Sequence, residues 1–145
     1  MSRKKARENA FLAMFEMSFK NATLEEIIEN AIEKEENQLD DYGKKIIGLF
    51  EEHQTEIDML IASKLKGWQP ERIPRVSYTA LRLAVTEMLY SGKDMVSIAI
   101  NEAVDLTKKY GDETDYQFVN GVLGSIARES IDTADITEKD ELSEC

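Results

Sequence analysis

Apolar residues recur along this chain at intervals of three and four, and no segment sustains alternation at period two, so the pattern predicts helices throughout. The most informative pair lies between Val96 and Leu123. Ala99, Ala103, Leu106 and Tyr110 fall at i, i+4, i+7 and i+11 on one stripe, with Glu102, Asp105 and Lys109 turned away from it. Gly111 supplies a helix stop. Thr114 with Gln117 three residues later has the form of a capping box, and Phe118, Val122, Leu123 and Ile126 continue as the apolar face of a second helix. Asn101, Lys108, Lys109, Phe118 and Asn120 all sit close to the turn between the two.

Upstream, Ser2 is placed to cap a helix that opens Arg3-Lys4-Lys5-Ala6-Arg7 and carries Ala6, Ala10, Ala13, Met14 and Met17 at helical spacing. Thr23 with Glu26 is a second capping box, leading a stripe of Leu24, Ile27, Ile28, Ala31 and Ile32 whose opposite face is acidic and solvated. A third helix starts at Asp40 and Asp41, carries Ile46, Ile47, Leu49 and Phe50, and runs on through Ile57, Leu60, Ile61 and Leu65 with a break near His53. Gly67-Trp68-Gln69-Pro70 is the strongest boundary. After Pro74 comes the most apolar helix, with Ala80, Leu81, Ala84, Val85, Met88 and Leu89, ended by Ser91-Gly92. Its wide apolar arc predicts a central place in the second half. Gly121 and Gly124 inside the last helix point to close helix approach as the compensation for their poor helix propensity. Past Glu129 the residues turn acidic and lose periodicity, which predicts a disordered tail.

A chain of 145 residues is one domain by length, able to bury a core without staples. Its one cysteine, Cys145, excludes an internal disulfide and suits a reducing, cytoplasmic setting. The charged N-terminus lacks the apolar run of a secretory signal, and no stretch reaches the roughly 18 apolar residues of a membrane span. The reading is a soluble protein. A net charge of -11 argues against nucleic acid until its distribution is considered. Residues 1–7 carry four cations and no acid, 8–63 four cations and fourteen acids, 64–128 nine and eight, and 129–145 one and seven. Cationic patches can therefore persist more than a Debye length, about 8 to 10 Å, from the acidic regions.

Catalytic chemistry finds little support. His53 has no second histidine or cysteine at metal spacing, and there is no glycine-rich phosphate loop. Glu102 with Asp105, or Asp112, Glu113 and Asp115, read better as a solvated face and a capping turn than as metal ligands. No serine, cysteine or lysine stands in a nucleophile setting. The expectation is a non-enzyme with no cofactor and no metal, whose activity is a recognition surface. The head leaves two readings open: cations in a first helical turn oppose the macrodipole, so the cluster is either a solvated, frayed terminus or charge kept for a ligand.

The segment Ala99-Ile100-Asn101-Glu102-Ala103-Val104-Asp105-Leu106-Thr107-Lys108-Lys109-Tyr110-Gly111, followed by Phe118-Val119-Asn120-Gly121-Val122-Leu123, resembles the C-terminal signature of the NusB family of transcription antitermination factors. Arg3-Lys4-Lys5-Ala6-Arg7-Glu8 resembles that family's basic N-terminal motif, and Trp68, Arg72-Ile73 and Leu81-Arg82-Leu83-Ala84 resemble its middle. The resemblance implies an all-α fold of two packed three-helix bundles, about seven helices, in one domain over residues 1–130. Its subdomains would cover about 1–66 and 67–130, with the acidic tail over 131–145.

In function, the resemblance implies a regulator of transcription antitermination and termination that binds a boxA-like single-stranded RNA together with the small-subunit ribosomal protein NusE. The complex helps RNA polymerase resist termination, notably on ribosomal RNA operons. Single-stranded RNA is held by cations on phosphates, an aromatic ring under a base and amides on base edges. Arg3, Lys4, Lys5, Arg7, Arg82, Lys108 and Lys109 are candidates for the first, Phe118 for the second and Asn120 for the third. Periodicity alone makes Phe118 core and Asn120 a cap or packing residue; the resemblance places Phe118 on RNA. Carried over by position, Phe15, Phe19 and the stretch Arg75 to Ser77 belong to the protein-partner face. Two features depart from the family pattern: the two lysines in the head where arginines are common, and Ser77 where an acidic residue is expected. Two alternatives remain. One is a helical domain of the same fold as precedes ribosomal RNA cytosine methyltransferases, which would need a long catalytic domain after Cys145. The other is a homodimeric interaction scaffold with no RNA role.

Overall fold

Seven α-helices make up the described residues: α1 (Arg3–Lys20), α2 (Leu24–Lys34), α3 (Asp41–Glu52), α4 (Gln54–Ala62), α5 (Arg75–Tyr90), α6 (Val96–Tyr110) and α7 (Asp115–Ile126). The computed structural model describes residues 1–131, so the acidic tail expected over 131–145 and Cys145 lie, beyond Ile131, outside the described residues. Short 3₁₀ turns over Pro70–Arg72 and Lys93–Met95 precede α5 and α6, and a π turn over Ala127–Ile131 continues α7. Among the described residues there is no strand. None of the described helices is long and apolar enough to cross a membrane.

Side-chain caps fix the starts of the first three helices. The Ser2 hydroxyl accepts from the Lys5 N–H at 3.1 Å, and Asp40 Oδ1 accepts from the Gly43 N–H at 2.9 Å. Thr23 caps the next helix, accepting from the Glu26 N–H at 3.1 Å and donating its hydroxyl to the Glu26 carboxylate at 3.2 Å, a side-chain pairing in place of the reciprocal backbone bond of a full capping box. The capping box expected at Thr114 does not form. Thr114 has φ −99° and ψ −9°, a helical rather than extended backbone, and makes no side-chain cap. Asp115 acts instead, accepting from the Asp112 N–H at 3.0 Å.

Helix α5 runs through the middle, packed by α1, α3 and α4 on one side and by α6 and α7 on the other. Ala80, Leu81, Leu83, Ala84, Val85 and Met88 are each at most 3% exposed, which accounts for its unbroken apolar arc. One continuous core joins Phe11, Ile46, Ile47, Ile57 and Ile61 to Ala99, Ala103, Val119, Leu123 and Ile126. The break at His53 separates α3 from α4, and its ring stacks on Tyr90 at the end of α5, centroids 4.2 Å apart.

Two packing expectations need revision. The stripe of α2 buries only Ile27, leaving Ile32 59% exposed, because α1 is the principal neighbour of that helix. Gly121 is exposed with open space where a Cβ would lie, so it marks no close helix approach, and nothing in the structure explains it. A Cβ at Gly124 would meet only the Arg128 side chain, at 3.2 Å. The glycine that does answer to crowding is Gly111, where a Cβ would stand 2.8 Å from the Thr107 carbonyl oxygen. Its φ of −104° shows that space, and not left-handed backbone, calls for glycine there.

Candidate nucleic-acid interface

The first turn of α1 lies against the last turns of α6, and together they enclose an open cleft of about 520 Å³. Lys4, Lys5, Lys108 and Lys109 line it, with Ser2, Leu106 and three carboxylates, Glu8, Glu102 and Asp105. Four of the cations expected to meet phosphate are thus brought together from positions a hundred residues apart. Each of three has an acidic neighbour. Lys4 Nζ lies 3.2 Å from Glu102 and 3.8 Å from Asp105; Lys5 Nζ lies 3.4 Å from Glu8; Lys109 Nζ donates to Glu8 at 2.5 Å. Lys108 sits over the Tyr116 ring, 4.6 Å from its centroid.

Glu8 is the hub of this arrangement. The same Oε2 that receives Lys109 accepts the Tyr110 hydroxyl at 3.0 Å. The hydrogen bond from Lys109 holds the Glu8 carboxyl below the usual carboxylate range despite partial burial, with Tyr110 and Lys5 acting in the same sense. Lys109 is raised in return, chiefly by that bond.

Arg3 borders a neighbouring open cleft, its guanidinium 3.7 Å from the centroid of the Tyr42 ring, with Lys45 close by. Arg7 does not stand with these exposed cations. It is 4% exposed, its Nε donates to Glu87 Oε1 at 2.7 Å, and Tyr42 donates a short bond to the other oxygen of that carboxylate. Burial opposes the Arg7 charge, and the hydrogen bond and charge of Glu87 outweigh it, leaving the guanidinium pKa raised. Burial and Glu87 likewise raise the Tyr42 hydroxyl.

Arg82 is also elsewhere. It forks onto Asp58 through Nε at 2.9 Å and Nη2 at 2.8 Å, lies over Tyr78 and Phe50, and so clamps α5 to α4. Phe118 and Asn120 lie on α7 outside the lysine cleft. Phe118 is half-buried, packed on the core and meeting Trp68 edge to face with centroids 6.0 Å apart. Asn120 is exposed.

From Glu8 an aromatic strip runs down α1. Tyr110 stacks on Phe11 at 5.5 Å between centroids, Phe11 on Phe15 at 6.4 Å and Phe15 on Phe19 at 6.3 Å. Arg75 closes the strip, its guanidinium 5.4 Å from the Phe19 centroid and its Nη1 donating to the Ser18 carbonyl at 2.8 Å. Phe15, Phe19 and Arg75 are therefore one surface, with Phe19 65% exposed at its end. Ser77 is not on that surface: it is buried, and its hydroxyl has no hydrogen-bond partner.

The family model for the NusB family matches residues 4–128. The chain belongs to the NusB family. The transcription antitermination protein NusB of Bacillus subtilis strain 168 is 36% identical over 126 residues, 87% of this chain and 95% of that relative. A T. maritima NusB structure superposes with a TM-score of 0.77 at 32% identity, covering 89% of this chain and 92% of that one. A structure of antitermination factors NusB and NusE in complex with dsRNA matches with a TM-score of 0.76 at 33% identity, covering 87% of this chain and 96% of its own. Apart from Arg3, the NusB signatures quoted above fall inside the matched span.

Sequence reasoning missed Glu8 as the hub, although Lys5 and Glu8 at i, i+3 already form a recognisable helical pair. It also missed Lys45, Tyr42 and Tyr116. Nothing local marks these, because their role comes from α3 packing on α1 and α7 packing on α6.

Proposed function

We propose that this protein is a cytoplasmic transcription antitermination factor that binds a boxA-like single-stranded RNA together with NusE, helping RNA polymerase resist termination on ribosomal RNA operons. The observation that carries this reading is the convergence of Lys4, Lys5, Lys108 and Lys109 on one cleft, joined through Glu8 and Tyr110 to the aromatic strip ending at Phe19 and Arg75. The two ligands of the related NusB complex, an RNA and NusE, are of the kinds these adjoining surfaces suit.

In this reading the four lysines and Arg3 take phosphates, Phe118 offers its free face to a base, and Asn120 reads a base edge. Arg7 and Arg82 hold their helices from within, as their ion pairs with Glu87 and Asp58 suggest. Phe15, Phe19 and Arg75 dock NusE, and Ser77, being buried, takes no part in that contact. The test is a fluorescence-anisotropy titration of a boxA-containing oligoribonucleotide against a scrambled one, with and without NusE. Preference for boxA that tightens with NusE is expected. Equal weak binding to both, indifferent to NusE, would leave a helical scaffold.

A further inference from the structure

The chain has a single tryptophan, Trp68, and it is 58% exposed although Leu65 and Ile73 anchor both flanks of its loop in the core. The loop is shaped to hold it there. Lys66 and Gly67 both take left-handed backbone, with φ of 45° and 90°, and the Trp68 N–H donates to the Leu65 carbonyl at 3.0 Å. A 3₁₀ turn over Pro70–Arg72 follows at once. Left-handed backbone at a residue with a side chain is strained and persists only where the surroundings enforce it, often at binding sites.

The indole meets Phe118 edge to face, with ring planes at 61° and centroids 6.0 Å apart, so the two rings brace each other at the surface. The loop that carries Trp68 is cationic in a protein that is acidic overall: residues 64–72 hold Lys64, Lys66 and Arg72 against the single acid Glu71, while the acids Asp112, Glu113 and Asp115 precede Phe118 on the other side of the pair. Lys64 pairs with Glu129 from the π turn after α7, and Lys66 and Arg128 also bear on that carboxylate. An exposed indole on a cationic loop, braced by the half-buried Phe118 ring, attracts a phosphate backbone and offers its bases a surface to stack on.

We propose that Trp68 and Phe118 form a two-ring platform on which neighbouring unpaired bases of the bound RNA stack, with Lys66 and Arg72 on the flanking phosphates. The inference rests on the RNA-binding reading above and extends the RNA path from α7 onto the loop before α5.

Because Trp68 is the sole tryptophan, its fluorescence reports on the site directly. The full chain is titrated with boxA-containing RNA while tryptophan emission is followed, and the same titration is read in parallel by anisotropy of labelled RNA. Emission should be quenched along the anisotropy isotherm. Trp68→Phe should bind within a few-fold of wild type, and Trp68→Ala should bind roughly 5- to 100-fold more weakly at an unchanged melting temperature. RNA binding with no change in emission overturns the platform and leaves the antitermination reading standing, as does wild-type affinity in Trp68→Ala. No binding by anisotropy overturns both. An emission change on adding NusE alone, with none on adding RNA, assigns the loop to the protein partner and overturns the platform. Should Trp68→Ala fail to fold, the wild-type quenching still decides.

Discussion

Arg7 and Glu87 meet across 80 residues of chain, Nε to Oε1 at 2.7 Å, with both side chains nearly sealed from solvent. This pair divides the basic head by direction. Arg3, Lys4 and Lys5 face outward, and Arg7 turns in to fasten α1 to the central helix. Removing one member of a buried pair strands the other charge, which costs about 3 to 5 kcal/mol. Arg7→Ala should therefore lose stability on that scale in urea denaturation, with RNA binding by the folded fraction little changed. A loss below about 1 kcal/mol would mean the pair is dispensable, as exposed pairs are.

Glu8 predicts a pH dependence. Its carboxyl is held low by the Lys109 hydrogen bond, so it lends stability that is complete above its unfolded value and is lost as pH falls through the depressed folded value. Glu8→Gln should thus be less stable than wild type at neutral pH, and the gap should close as the solution is acidified below the ordinary carboxylate range. Urea denaturation over a pH series measures it. A gap that persists unchanged in acid would show that Glu8 acts by packing alone.

Glu102 holds Lys4 in the free protein and so competes with any phosphate for it. An exposed pair of this kind is worth about 0.2 to 1 kcal/mol. Glu102→Gln should bind RNA up to about five-fold more tightly, the gain being shared by boxA and scrambled sequences because it removes a competing negative charge and adds no base contact. Weaker binding in anisotropy would show that Glu102 positions Lys4 productively.

Phe19 is 65% exposed at the end of the strip, under the Arg75 guanidinium. Aromatic residues of this sort concentrate binding energy at protein interfaces. Phe19→Ala should weaken NusE binding by about 2 kcal/mol in calorimetry while leaving the melting temperature within a degree or two of wild type. Unchanged NusE affinity would move the partner off this surface.

The helices were legible because their signals are local. Ser2, Thr23 and Asp40 cap as their residue types prescribe, and the apolar arc of α5 foretold its central place. Where a signal needed one more fact, reading failed. Thr114 has the right residue three positions before Gln117 but a helical backbone, and Ile32 sits on a proper stripe with no neighbour to cover it. The site was legible by residue type and not by direction. A basic run shows four cations at Arg3, Lys4, Lys5 and Arg7, and only the partner waiting on α5, Glu87, reveals that the last of them points inward.

The lysine cleft is the centre of this account, and salt dependence addresses it most directly. Each phosphate contact on a single strand contributes a slope of about 0.7 in log affinity against log salt. Binding of boxA-containing RNA should be measured over a salt series for wild type and for the Lys4→Ala, Lys5→Ala double variant. The variant's slope should be shallower by up to about 1.4, from two lost contacts, with folding stability preserved. A slope equal to that of wild type would contradict this and take the head out of the RNA interface.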